Sequence, residues 1–270
     1  MSLNSGERQV TPNISEIRRD HVARYEFAAD MAPKNGVVID FACGIGYGSR
    51  MLSEKARVHA YDVDDETLAY AREHYNNDPR ITFAKADGNC PPDLGQADLA
   101  VSFETIEHIQ DPRPLLKALR AAPRLIASVP NESVMPWQRE DGSVTAFHFR
   151  HYTKTEFADL LLECGWHPVE WYGQLGPESE VERDVHGRTL IAVCERVAIP
   201  EPRRKGERHI CILGLGPSVD QYLDITKRLG GRSAFCDEVW AINALGGVFD
   251  CDLVFHMDDI RIQLIRSEAR

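Results

Sequence analysis

The 270-residue sequence predicts an α/β fold: a seven-stranded, mostly parallel sheet with helices on both faces, followed by a partial second α/β module. Three observations carry this expectation. Short β-branched runs alternate with helical patterns along the first two thirds of the chain. A glycine-rich turn, Gly44-Ile45-Gly46-Tyr47-Gly48, joins the first such run to a helical pattern. An acid, Asp62, closes the second run about twenty residues after the first glycines, where a nucleotide-binding fold grips ribose hydroxyls.

Val37, Val38 and Ile39 have the pattern of a buried parallel strand, which Asp40 ends. Each glycine of the following turn has a physical role. Gly44 can take a positive φ, and Gly46 keeps the backbone open to a ligand. Gly48 lets the helix, apparent from Met51 and Leu52, pack close to the sheet. The second strand is read at Val58–Val63. The opening Asp40-Phe41-Ala42-Cys43-Gly44 departs from the dinucleotide fingerprint by putting an acid before the loop.

This Asp-x-x-Cys-Gly-x-Gly-x-Gly form resembles motif I of the class I S-adenosylmethionine (SAM) methyltransferases, which have a Rossmann-like fold. The resemblance implies SAM as cofactor, with S-adenosylhomocysteine as product. It implies that Asp40 helps hold the methionine end of SAM, that Ala42, Cys43, Gly44 and Gly46 form the loop around it, and that Asp62 with Val63 meets the ribose. The competing reading of the turn is a dehydrogenase or a generic nucleotide loop.

The formal net charge of −11 counts against a nucleic-acid partner, because proteins that clamp phosphates carry a basic face. The seven cysteines are scattered, odd in number and without Cys-x-x-Cys spacing, which predicts reduced residues rather than a disulfide or zinc framework. No metal-ligand set is assigned from the sequence. With no signal peptide and no apolar run long enough to span a bilayer, the expectation is a cytoplasmic protein.

Residues 1–14 are polar and read as a frayed end. Ser15–Met31 reads as a helix with Ser15 as N-cap, either a lid on the sheet or a carrier of His21, Arg24 and Tyr25 toward the cofactor. Its Asp-His-x-x-Arg-Tyr-x-Phe-Ala segment resembles the entry helix of bacterial methyltransferases of the type 11/12-like, glycan-associated group. Asp65–Tyr75 is an amphipathic helix and Ile81–Ala84 a third strand, leading to Asp87-Gly88-Asn89. The resemblance puts Asp87, with Gly88, at the adenine amino group; a plain turn aspartate is the alternative.

Asp98–Phe103 is the fourth strand. In a doubly wound sheet, ligands sit where the strand order reverses, which directs Phe103 and the residues Glu104–His108 toward the reacting methyl group. The run Ser-Phe-Glu-Thr-Ile-Glu-His-Ile-x-Asp-Pro resembles the fourth-strand motif of the same group. One of Glu104, Glu107 and His108 is then the residue that polarises the acceptor. Glu107 as an acid at a helix N-terminus and His108 as a packing residue are the alternatives. The Asn/Asp-Pro-Pro-aromatic motif of base-methylating enzymes is missing at Phe103-Glu104-Thr105.

Pro114–Ala121 reads as a helix and Arg124–Val129 as strand five. Ser133–Arg150 is a loop long enough to be functional, read as closing over the substrate, with Trp137, Phe147 and Phe149 as a possible apolar wall. His148 at its end is a second candidate proton acceptor, beside Arg150 and His151. Thr153 and Glu156 form a capping box for the helix that Gly165 ends. Pro168–Tyr172 and Thr189–Cys194 are strands six and seven, with an acidic turn at Glu178–Asp184 between them.

The resemblance covers residues 15–195, and residues 196–207 read as a linker rich in proline and charge. Residues 208–270 then read as the start of a second α/β domain, cut short, with strand signals at His209–Leu213, Val239–Asn243 and Asp252–Phe255. Gly214-Leu215-Gly216-Pro217-Ser218 resembles the opening of phage and bacterial Gly-x-Gly-Pro-Ser domains; Asp258 and Asp259 read as turn acids.

The function expected is methyl transfer from SAM to a small polar acceptor, a hydroxyl of a sugar or glycan precursor, with His108, His148 and Glu104 as the catalytic candidates. A quinone-type or protein acceptor, or a SAM-binding module without catalysis, are the alternatives.

Overall fold

The computed structural model describes residues 10–11, 13–139 and 141–197, and beyond them 210–213, 222–223, 226, 236, 238–242 and 253–255. The chain divides into two compact units, Met1–Ile199 and Pro200–Arg270.

The first unit holds an eight-stranded sheet made of β1 (Val37–Phe41), β2 (Arg57–Asp62), β3 (Ile81–Lys85), β4 (Leu99–Phe103), β5 (Arg124–Pro130), β6 (Trp166–Gln174), β7 (Glu182–Arg183) and β8 (Thr189–Arg196). Their spatial order is β3-β2-β1-β4-β5-β8-β6-β7. Strands β1 to β5 pair in parallel. Strand β8 runs antiparallel between β5 and β6. The chain steps outward from β1 to β3, then returns to place β4 on the other side of β1, so the order reverses between β1 and β4. That is where such folds bind ligands.

The expected seven strands gain one. Glu182–Arg183 pairs with Tyr172 and Gly173, inside a stretch that the sequence presents as an acidic turn. Two charged, exposed residues leave no alternation to read.

Helices α1 (Arg19–Met31), α2 (Tyr47–Leu52), α3 (Asp65–Tyr75), α4 (Arg113–Ala118) and α5 (Lys154–Glu163) flank the sheet. Ser15 is not the cap expected of it. A 3-10 turn, Ile14–Glu16, precedes α1, and the Asn13 side chain accepts from the Ser15 amide. Helix α2 starts at Tyr47, before the apolar residues that betray it, and the helix at 114–121 splits into α4 and a 3-10 turn, Leu119–Ala121. The Thr153/Glu156 capping box is present, and Gly165 follows α5 with φ 80°.

Two cores sandwich the sheet. Ile39 and Phe41 of β1 pack with Leu115, Leu116, Phe157 and Trp166 on one face, while Val38 joins Tyr25, Leu52 and Leu68 on the other. Strand β4 is buried along its whole length, as a central parallel strand must be. Trp166 is fully buried, and its indole N–H donates to the Leu116 carbonyl at 2.8 Å. Among the described residues no cysteine is in a disulfide; Cys43, Cys164, Cys194 and Cys236 are buried and Cys90 is exposed.

In the second unit β9 (Ile210–Leu213), β10 (Glu238–Ile242) and β11 (Leu253–Phe255) form a parallel sheet in the order β11-β10-β9. The Gly214–Ser218 motif, the acids Asp258 and Asp259 and linker residues 198–207 lie outside the described residues.

Candidate active site

A cavity of about 690 Å³ opens at the carboxyl ends of β1 to β4, within the range of small-ligand sites. Strands β1 and β4 end alike. Ala42 (φ 69°) and Glu104 (φ 47°) are both non-glycine residues in the left-handed region, and both line the cavity. Backbone bonds hold them there: the Ala42 and Cys43 amides donate to the Tyr61 carbonyl at 2.8 and 2.9 Å, and the Glu104 amide donates to the Ser128 carbonyl at 3.2 Å. Strain of this kind gathers where a fold aims residues at a ligand. Gly44 has the positive φ its position called for, 56°, and a side chain there would meet nothing within 4 Å, so its conformation is the reason for glycine.

The buried Asp62 accepts from the Gly44 amide through Oδ2 and from the Asp64 amide through Oδ1, both at 3.0 Å. These bonds fix a carboxylate between the glycine loop and the end of β2. Val63 beside it lines the cavity and is 48% exposed. Asp87 lines the cavity from the end of β3; its Oδ1 accepts from the Asn89 amide and side chain, which lowers its pKa. A Cβ on Gly88 would lie 2.4 Å from Ile109 Cδ1, so this glycine serves packing. Cys43 and Phe103 also line the cavity.

Three residues of the glycine motif have other neighbours than their positions suggest. Asp40 is buried and is not among the cavity-lining residues. Its carboxylate accepts from the Ser49 hydroxyl at 2.6 Å and from the Tyr25 hydroxyl at 3.1 Å. Burial outweighs those bonds and pushes its pKa up to about 6. Gly46 is likewise absent from the lining, and a Cβ there would meet Phe83 at 3.0 Å and Ala71 at 3.1 Å. A Cβ on Gly48 would fall 2.1 Å from the Tyr25 ring, so this glycine makes room for α1 and not for the sheet.

Helix α1 brings His21, Arg24 and Tyr25 to the cavity together. The Tyr25 ring packs edge-on against Tyr47 and Phe103, with centroids 5.5 and 5.2 Å away. Arg24 is buried, 2% exposed; its guanidinium donates to Gln174 Oε1 at 2.7 Å and lies 3.9 Å from Asp20. The Gln174 side chain in turn donates to the Asp20 carbonyl at 2.8 Å. This cross-tie from β6 holds a buried cation at the cavity wall. Burial, with Arg24 adding, pulls the His21 pKa down to about 3.

The opposite end is lined by Glu104, Glu107, His108 and His148. The Glu104 carboxylate accepts from the Ser128 hydroxyl at 2.7 Å. Glu107 is fully buried, in the first turn of the 3-10 helix Ile106–His108. The 133–150 loop docks on this turn: the Phe149 amide donates to the Glu107 carbonyl at 2.8 Å, and His108 Nδ1 lies 3.1 Å from the Phe147 carbonyl. The two imidazoles meet edge-on with centroids 4.5 Å apart. Burial, with His108 and His151 adding, lowers the His148 pKa to about 4. His148 and Met135 are the loop residues that line the cavity; Trp137, Phe147 and Phe149 do not, and the latter two are 50% and 52% exposed.

His151, which the sequence sets beside His148 at the loop end, is buried and sits behind that imidazole; its burial is not legible from the sequence. The bond from Tyr25 to Asp40 was also hidden, because it depends on how α1 docks.

Residues 38–128 match a family model described as a methyltransferase domain. Among solved structures, the chain resembles a SAM-dependent methyltransferase from Thermotoga maritima (17% identity, 66% of this chain and 90% of that one, TM-score 0.55). It also resembles the methyltransferase complexed with the Trm112 activator in Haloferax volcanii (20% identity, 67% and 91%, TM-score 0.53). A third is the small RNA methyltransferase HEN1 (17% identity, 72% and 27%, TM-score 0.53). No curated protein sequence matches the chain. No helix among the described residues is long and apolar enough to cross a membrane. Fold and family match agree: the first unit has the class I methyltransferase fold, residues 38–128 match a methyltransferase domain, and the cofactor is SAM.

Proposed function

We propose that this protein transfers a methyl group from SAM to a hydroxyl of a small polar acceptor, a sugar or glycan precursor. The observation that carries the reading is the lining of the cavity beyond the SAM cradle: two carboxylates and two imidazoles, Glu104, Glu107, His108 and His148, with the loop aromatics turned elsewhere. A quinone ring would need an apolar wall. A hydroxyl needs groups that orient it and help remove its proton.

SAM, when bound, supplies a methyl carbon already attached to a sulfonium leaving group. The chain supplies the rest. In this reading Asp62 accepts from ribose hydroxyls and the Asp87 carboxylate from the adenine amino group; both residues line the cavity. The buried Arg24 guanidinium is suited to the carboxylate of the amino-acid end. Tyr25, steadied by Asp40, walls that end. Holding the acceptor oxygen in line with the methyl carbon, about 3 Å away, is the main task left to the Glu104 and His148 side.

The formal charge of −11 favours a small acceptor over a polynucleotide. The test is methyl transfer from labelled SAM to fractionated lysate: nucleotide sugars and glycans, lipids, proteins, RNA and DNA. Label in the sugar fraction, located on oxygen by mass spectrometry, is the expected result. Label in RNA would move the acceptor to a ribose or base, and label in lipid or protein would equally overturn the sugar assignment. Binding of SAM with no transfer to any fraction would favour a module that binds without catalysis.

A further inference from the structure

We propose that Glu107, His108 and His148 form a binding site for a divalent transition-metal cation at the acceptor end of the cavity. One ligand atom from each of the three lies within 4.8 Å of the other two, and all three residues line the cavity. His108 Nε2 is 4.0 Å from Glu107 Oε1. Two ligands of one ion with bonds of about 2.1 Å lie no more than about 4.2 Å apart. The observed cluster therefore needs only small side-chain adjustments to close around a cation.

The hydrogen bonds behind the two imidazoles fix which nitrogen faces the cluster. A carbonyl oxygen only accepts, so the ring nitrogen against it carries the proton. His108 Nδ1 lies against the Phe147 carbonyl at 3.1 Å, which leaves the Nε2 lone pair on the Glu107 side. His151 Nδ1 lies against the Met135 carbonyl at 2.6 Å, so in the neutral ring its Nε2 is an acceptor. His148 Nδ1 is 2.7 Å from that Nε2 and must donate to it, which assigns the His148 lone pair to Nε2 as well. A ligating histidine that donates its other N–H to a carbonyl or a further acceptor is the usual outer-shell arrangement of metal sites. His151 is thus a positioning residue.

Two neutral imidazoles and one carboxylate select a borderline cation such as manganese, cobalt or zinc over magnesium or calcium, which prefer all-oxygen sets. Three protein ligands leave positions for a substrate. Glu107 is fully buried, where a carboxylate gains most from a cation beside it. The site's chemical role rests on the hydroxyl-acceptor reading. A cation there lowers the pKa of the acceptor hydroxyl, whose proton leaves to water. The acceptor oxygen then bonds to the methyl carbon as the carbon–sulfur bond breaks, and that electron pair stays on sulfur.

The test uses the full chain, stripped with EDTA and titrated calorimetrically with manganese, cobalt and zinc chlorides; cobalt is also followed by its visible absorption. We expect one site per chain, with cobalt bands that report nitrogen ligation. His148→Ala and Glu107→Gln should each weaken binding at least tenfold, and His151→Phe should weaken it less. SAM affinity, measured on the same samples, shows that each variant is folded, and His148→Ala on the loop covers the case in which Glu107→Gln fails that check. No binding at millimolar metal, or binding unchanged in His148→Ala, would overturn the site. Metal binding needs no acceptor, so a sugar assignment that fails leaves this test standing, and the reverse holds as well.

Discussion

The two ends of the cavity are built differently. The end we assign to the cofactor is made of strand termini: Ala42 and Gly44 come just after β1, Asp62 ends β2, Asp87 comes just after β3, and backbone amides fix both oxygens of Asp62. The end we propose for the acceptor is made of side chains that meet across the chain. His108 and His148 are forty residues apart in sequence, and the loop carrying His148 is tied down by bonds to the 3-10 turn at Ile106–His108. A backbone-built cradle suits a ligand common to many enzymes; a loop-built one is where acceptor choice can change while the scaffold stays.

That contrast yields graded expectations. His148→Ala should slow turnover by about 10²–10⁴-fold, the range for losing a group that assists proton removal, with SAM affinity within twofold of wild type. Equal losses in both would erase the distinction between the two ends. Asp62→Ala should act in the opposite sense, weakening SAM binding by roughly 10²-fold, or about 3 kcal/mol, for the loss of charged hydrogen bonds. Calorimetric titration reads this directly.

Asp40 offers a pH test confined to the cofactor end. Its folded pKa of about 6 lies above its ordinary value, so the folded protein holds a proton that the unfolded chain gives up. Its stabilising contribution is complete below about pH 4 and is lost as pH rises through about 6. The loss is on the order of 3 kcal/mol. Denaturant melts of wild type and Asp40→Asn should diverge across that window, with the variant gaining relative stability at the upper end. Parallel curves would remove the buried charge from the explanation. Gly48→Ala should cost about 1–3 kcal/mol by driving a methyl into the Tyr25 ring, and should weaken SAM binding by displacing α1. The smallest effect belongs to Phe147→Ser. This half-exposed side chain is outside the cavity lining, and stability and turnover should hold within about 0.5 kcal/mol.

The same contrast explains what the sequence made legible. Alternating strand and helix patterns gave the parallel sheet, because central strands such as β4 are buried on both faces and read as apolar runs. The positive φ of Gly44 and the capping box at Thr153 are local, and local chemistry is visible in sequence. Contacts made by docking were not. Gly48 was assigned to sheet packing, whereas the Tyr25 ring of α1 occupies the space its missing side chain leaves. The motif points Asp40 toward the methionine end of SAM, but its bonds to Ser49 and Tyr25 depend on how the helices dock. Strand β7 has two residues and no pattern. The three-residue cluster of Glu107, His108 and His148 was invisible for the same reason: its spacing in sequence resembles no metal motif, and only the loop closes it.

The arrangement as a whole is tested most directly by a crystal structure with S-adenosylhomocysteine bound. The ribose hydroxyls should lie within hydrogen-bond distance of Asp62, the amino-acid end beside Arg24 and Tyr25, and the sulfur turned toward the Glu104 and His148 end. A ligand bound elsewhere, or one in the cavity with its sulfur turned away from that end, would contradict the assignment of both halves.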